Sequence, residues 1–123
     1  MRIDWSTVPL MPGMRAGAER RAVAAERISV VRVTTSSDAS FDDRVHRHEH
    51  EQWLLMLHGR LELEVEGDRF EVGPGDLVLF PSGSWHGAVG IGPDGAEYYE
   101  FFSPPRYDQL PGYAGPSPLE LRP

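Results

Sequence analysis

A chain of 123 residues has enough apolar material for one core and too little for two, and its formal charge of -7 opposes nucleic-acid binding, which draws on Lys and Arg against phosphates. It holds no cysteine, so disulfides, thiolate metal sites and cysteine nucleophiles are excluded and any metal must sit on nitrogen and oxygen. The start, Met1-Arg2-Ile3-Asp4-Trp5, lacks the apolar centre of a signal peptide, and the longest apolar run, Trp53 to Leu57, is far too short for a bilayer span. A cytoplasmic protein with no membrane partner is the expectation.

Residues 15–27 favour helix by propensity but show no apolar stripe, and are read as a short strand region. From Ile28 to Thr34 the chain is rich in Val and runs into the polar Thr34-Thr-Ser-Ser-Asp38, a strand followed by a loop. Gln52 to Leu57 reaches Gly59, after which Leu61, Leu63 and Val65 alternate with Glu62, Glu64 and Glu66, one face buried and one wet. Turns at Gly67-Asp68, Gly73-Pro-Gly-Asp76 and Pro81-Ser-Gly-Ser84 separate Phe70-Glu-Val72 and Leu77-Val-Leu-Phe80 from a last strand ending Glu97-Tyr-Tyr-Glu-Phe-Phe102. Short strands at regular spacing predict an all-β protein, a sandwich or barrel of the jelly-roll kind. Beyond Ser103, Pro104, Pro105, Pro111, Pro116, Pro118 and Pro123 forbid helix and central strand alike, so an irregular tail wrapped on the barrel is expected.

His46-Arg-His-Glu-His50 places three of the five histidines within one short stretch, and His86 lies near a Gly/Pro-rich turn. On a strand, His46 and His48 point to the same face, where two neutral imidazoles can share an ion. His50 has the same parity, so spacing alone does not exclude it.

These residues resemble the cupin superfamily in two successive motifs. In the first, His46, His48, three residues, Gln52, six residues and Gly59 keep the family register, with Ser40 in place of the leading Gly and Gln52 in place of a Glu. In the second, Gly75, five residues, Pro81, Ser82, Gly83, two residues and His86 follow the pattern, with Gly90 where the family has Asn. The resemblance implies a single-domain cupin over residues 1–123, with a jelly-roll antiparallel barrel over about 28–103 and a Pro-rich tail over 104–123. It also implies one divalent ion, Ni, Zn, Mn or Fe(II), on His46, His48, Gln52 and His86, leaving His50 beside the site and His58 structural. Gln52 for Glu makes all four ligands neutral, so the ion keeps its full charge as a Lewis acid, which favours non-redox chemistry.

The stretch from His46 to Gln52, taken with Phe102-Ser-Pro-Pro-Arg106, is similar to the pectin-degradation cupins, which open 4,5-unsaturated uronate rings to linear keto acids. That family carries an acidic residue, usually Asp, then Phe two positions on, then Arg four further, and Glu100, Phe102 and Arg106 match this spacing. Strand parity puts Tyr98, Glu100 and Phe102 on one face, and an inward carboxylate is costly unless it has work or a partner. Glu100 is therefore the candidate proton-transfer group, and Arg106 a candidate catalytic residue and carboxylate clamp, with Tyr98 and Phe102 as substrate walls. The blander reading makes Glu100 a rim residue and pairs Arg106 with Asp108 or the tail.

The leading expectation is a metal-dependent isomerase or lyase acting on a small carboxylated sugar-derived or keto substrate. The alternatives are an Fe(II)-dependent dioxygenase, a natural-product (polyketide) cyclase and a ligand-binding cupin without turnover. Trp5, Trp53, Tyr99 and Phe101 exceed what one small barrel should expose, so a homodimer is expected.

Overall fold

Two long strands carry the architecture of the computed structural model, which describes residues 1–122. β5 (Glu51–Val65) and β8 (His86–Ser103) pair antiparallel from Glu51↔Ser103 to Val65↔His86. The remaining strands attach along this ladder: β1 (Met11–Pro12), β2 (Ala18–Ala24), β3 (Ser29–Thr35), β4 (His46–Arg47), β6 (Asp68–Val72), β7 (Leu77–Phe80) and β9 (Glu120–Leu121). β3 joins the C-terminal half of β8, with β2 and then β1 outside it, and β4 joins its start. β7 pairs with the first half of β5 and β6 with its second half. Among the described residues the helical structure is confined to 3₁₀ turns, at Trp5–Thr7 and Tyr107–Gln109.

The ladder curls because its middle is irregular. Register shifts fall between Met56 and His58, Gly59 and Leu61, and Glu62 and Leu63, and such bulges bend and twist a sheet. Gly59 sits at the bend with φ 74°, where a Cβ would overlap the Gly95 carbonyl oxygen and lie 2.8 Å from Ala96 Cα. The two halves therefore fold over one another, and the end carrying His86 faces the end carrying Gln52.

Between the halves lies the core of Val31, Leu54, Met56, Leu61, Leu63, Val72, Phe80 and Phe102, all buried. Leu61 and Leu63 point inward as their alternation with glutamates predicts, and the Glu62 side is exposed. The strand region expected within 15–27 forms over Ala18–Ala24, paired with β3, and its inward positions read Ala18, Arg20, Ala22. In the tail, β9 pairs with β4, Glu120 accepts two 2.9 Å hydrogen bonds from Arg47, and Trp85 lies against both Arg47 and Arg122. No described helix is long and apolar enough to cross a membrane.

Candidate metal centre and its cavity

β4 and β8 place His46 directly opposite His86, with ring centroids 4.6 Å apart. His48 follows β4 and closes the group, 4.9 Å from His86 between centroids, and one ligand nitrogen from each ring lies within 4.8 Å of the others. Gln52, near the start of β5, reaches in from the opposite half. Its Oε1 lies 3.1 Å from His48 Nε2 and 3.0 Å from His86 Nε2. Phe80 stacks under His86 at 4.6 Å, and Phe102 packs edge-on to His48 at 5.9 Å, so both rings are wedged in place.

Hydrogen bonds on the far side of His48 and His86 determine what their inward nitrogens can bind. His48 Nδ1 faces the His50 carbonyl at 3.1 Å, and His86 Nδ1 faces the Ser84 carbonyl at 2.9 Å. A carbonyl only accepts, so each Nδ1 carries the proton and each Nε2 turns a lone pair inward. Gln52 Nε2 donates to Glu100 Oε2, which leaves Oε1 facing the imidazoles. Three lone-pair atoms thus converge with no proton among them unless a ring becomes cationic. Burial opposes that, with neighbouring positive charges adding to it at His46 and His48: His46 falls from 6.5 to about 3, and His48 and His86 to about 4. A cation is what such an arrangement accommodates, and N3O ligation with ring orientation set from behind suits a divalent transition metal. His46, His48, His86 and Gln52 would hold it.

Glu100 and Tyr98 lie on the inner face of β8, as their parity predicts, and line a cavity of about 210 Å³ with His46, Gln52, His86 and Arg106. Desolvation lifts the Glu100 carboxyl from 4.5 to about 7, against the opposing pull of Arg106, Arg15 and Arg20. Tyr98 is buried, paired with Thr35 Oγ1 at 3.2 Å, and its pKa is pushed up mainly by burial. Phe102 is buried behind His48 and under the Arg106 guanidinium, 5.0 Å from its centroid, rather than on the cavity wall. The Arg106 fork is turned onto Asp108, Nε at 3.2 Å and Nη2 at 2.8 Å, which is the pairing that the blander reading described. His50 lends its carbonyl to His48 and stays outside the three-histidine group.

Sequence reasoning did not single out Arg15, Arg20 or Gln109, which also line the cavity. The signal was present in Ala18-x-Arg20-x-Ala22, a charged residue between two small ones at strand period, but the helix propensity of the stretch obscured it.

A buried three-histidine centre inside a curled antiparallel sheet defines a β-barrel with a site that could hold a metal ion. The cupin-domain family model matches residues 36–102, more than half of the chain, and the protein belongs to that family. Among solved structures it is similar to KdgF from Halomonas sp., at 26% identity and TM-score 0.71, covering 83% of this chain and 91% of that one. An RmlC-like cupin from Shewanella frigidimarina follows at 22% identity, TM-score 0.70 and coverage of 85% and 91%. The polyketide cyclase RemF from Streptomyces resistomycificus has 20% identity, TM-score 0.70 and coverage of 96% and 89%. These last two likenesses speak to the fold alone. Comparison with curated proteins gives no match.

Proposed function

We propose that the protein is a metal-dependent, non-redox isomerase or lyase that opens the ring of a 4,5-unsaturated uronate. The observation that carries this reading is the Glu100 carboxyl, set in the cavity wall, hydrogen-bonded to the amide of Gln52 and lifted to about 7. A group with that pKa holds and releases a proton near neutrality, as general acid-base catalysis requires. The likeness to KdgF at 26% identity and the Glu100, Phe102, Arg106 spacing of the pectin-degradation cupins support the substrate class.

When bound, the ion supplies Lewis acidity towards a ring or carbonyl oxygen. Ring opening then moves one proton from the anomeric hydroxyl to C4 and breaks the ring C–O bond, consuming nothing else. Glu100 is the group that takes and returns that proton, and Gln52 positions it through its amide. Arg106, fixed by Asp108, adds positive charge to the same wall, Tyr98 bounds the pocket, and Phe102 supports both His48 and Arg106 from behind. We also propose a homodimer through the outer face of the sheet, where Leu55 and Trp53 of β5 lie between Leu77 and Leu79 of β7 and Tyr99 and Phe101 of β8.

The test is anaerobic incubation of metal-loaded protein with 4,5-unsaturated galacturonate, following loss of the conjugated double-bond absorbance. Turnover without oxygen is expected. Turnover only with oxygen uptake would establish the dioxygenase reading instead, and binding without turnover the ligand-binding one.

A further inference from the structure

The cavity is far more positive than the chain around it. Three arginines line it, Arg15, Arg20 and Arg106, against the carboxylates Glu100 and Asp108, in a protein whose formal charge is -7. Each arginine has a different degree of freedom. Arg106 is committed to Asp108 through Nε and Nη2. Arg15 is stacked on Phe41 at 4.2 Å and tied to the Ala88 carbonyl at 3.3 Å. Arg20 gives only its Nε, to the Gln109 carbonyl at 3.3 Å, and forms no ion pair among the described residues.

Its placement is enforced by the sheet. Arg20 pairs with Val33, which pairs with Tyr98, so its side chain shares the inner face with Tyr98 and Glu100. The alanines on either side of it along that face leave space for a guanidinium and little else to pack on it. Arg20 is half-buried there, and although Asp108 and Glu100 are near enough to act on its charge, neither is in ion-pair contact with it, so its guanidinium is left able to take an incoming anion. Beside it, Gln109 is 8% exposed, lines the same cavity, and its Oε1 has no hydrogen-bond partner. A buried amide oxygen in that state wants a donor such as a hydroxyl.

We propose that Arg20 is the carboxylate anchor of the cavity and that Gln109 Oε1 receives a neighbouring hydroxyl, so that the site selects small hydroxylated carboxylates. This rests on the cavity being the substrate site, as proposed above, and assigns the clamp to β2 rather than to the Phe102–Arg106 stretch. Arg20 lies outside the stretch matched by the cupin-domain model, which begins at residue 36.

Binding of inert sugars separates this claim from the catalytic one. Metal-loaded protein is titrated calorimetrically with D-galacturonate and with D-galactose, its neutral counterpart, and so are Arg20→Gln and Arg20→Lys, each first checked for metal content and melting temperature. Wild type should prefer galacturonate by at least about tenfold, the least expected of a charge-assisted contact. Arg20→Gln should erase that preference, and Arg20→Lys, which keeps the charge without the fork, should fall between. Should Arg20→Gln fail to fold, the ordering of wild type and Arg20→Lys still decides. Galacturonate binding by Arg20→Gln within about twofold of wild type, equal binding by Arg20→Lys and wild type, or no preference in wild type would overturn the proposal. Loss of the proposed ring-opening activity, with the galacturonate preference intact, would count against that function and not against the anchor.

Discussion

Gln52 joins the two halves of the site, because its amide has two ends with opposite duties. Oε1 faces the imidazoles while Nε2 donates to Glu100, so one neutral amide contacts both the histidine group and the carboxylate. Replacing it tests that division. In Gln52→Glu the donor is lost and two carboxyls must share a proton, which pushes their combined titration upward. The variant should keep its metal, since a carboxylate ligates well, and its pH–rate profile should shift to higher pH by about one unit or more. A profile superimposable on wild type would show that the Gln52–Glu100 contact has no part in proton transfer.

Elements were legible where local chemistry and burial agree. Leu61-Glu-Leu63 alternates because that half of β5 has one wet face, and the histidine pair with its glycine and proline turns is legible because both the ring parity and the turn chemistry are local in sequence. β2 was less legible, since Ala-Glu-Arg-Arg-Ala-Val-Ala favours helix in isolation and becomes a strand only by pairing with β3, a long-range contact that propensity does not contain. The Arg20–Gln109 contact is hidden for the same reason, whereas the Arg106–Asp108 fork joins residues two apart and is among the pairings the sequence offers. The bend at Gly59 can be probed by substitution. Gly59→Ala adds a Cβ that overlaps the Gly95 carbonyl at a positive φ, and should cost at least about 2 kcal/mol in chemical denaturation. Unchanged stability would mean that the β5–β8 ladder does not need this close approach in order to curl.

At the scale of the molecule, the histidines make stability depend on pH. Their pKa values are lowered on folding, so the unfolded chain takes up protons below 6.5 while the folded metal-free protein does not until about 4 or 3. The stability present above 6.5 is therefore lost as pH falls towards 4, by up to about 1.4 kcal/mol per unit for each imidazole. Glu100 acts the other way, its raised pKa favouring the folded state at lower pH between 4.5 and about 7, but three groups oppose one. Metal-free protein should thus melt progressively lower from pH 6.5 to 4, and a flat melting temperature across that range would contradict the buried-imidazole description. The outer apolar face bears on association. Trp53, Leu77 and Leu79 are exposed there, and Trp5 lies tilted against Tyr99 at 5.8 Å, so light scattering at tens of micromolar should give a dimer mass, with a monomer counting against the proposed interface.

The central claim, that one divalent ion and the Glu100 carboxyl act as separate parts of one catalytic centre, is tested most directly by Glu100→Gln, with metal and turnover measured on the same sample. Plasma emission should find one ion per chain in both proteins, because the ligand set is untouched. Turnover of 4,5-unsaturated galacturonate should fall by about 10²–10⁴-fold, the range for losing a general acid-base group. Wild-type turnover in Glu100→Gln, or loss of the ion along with the activity, would contradict the account.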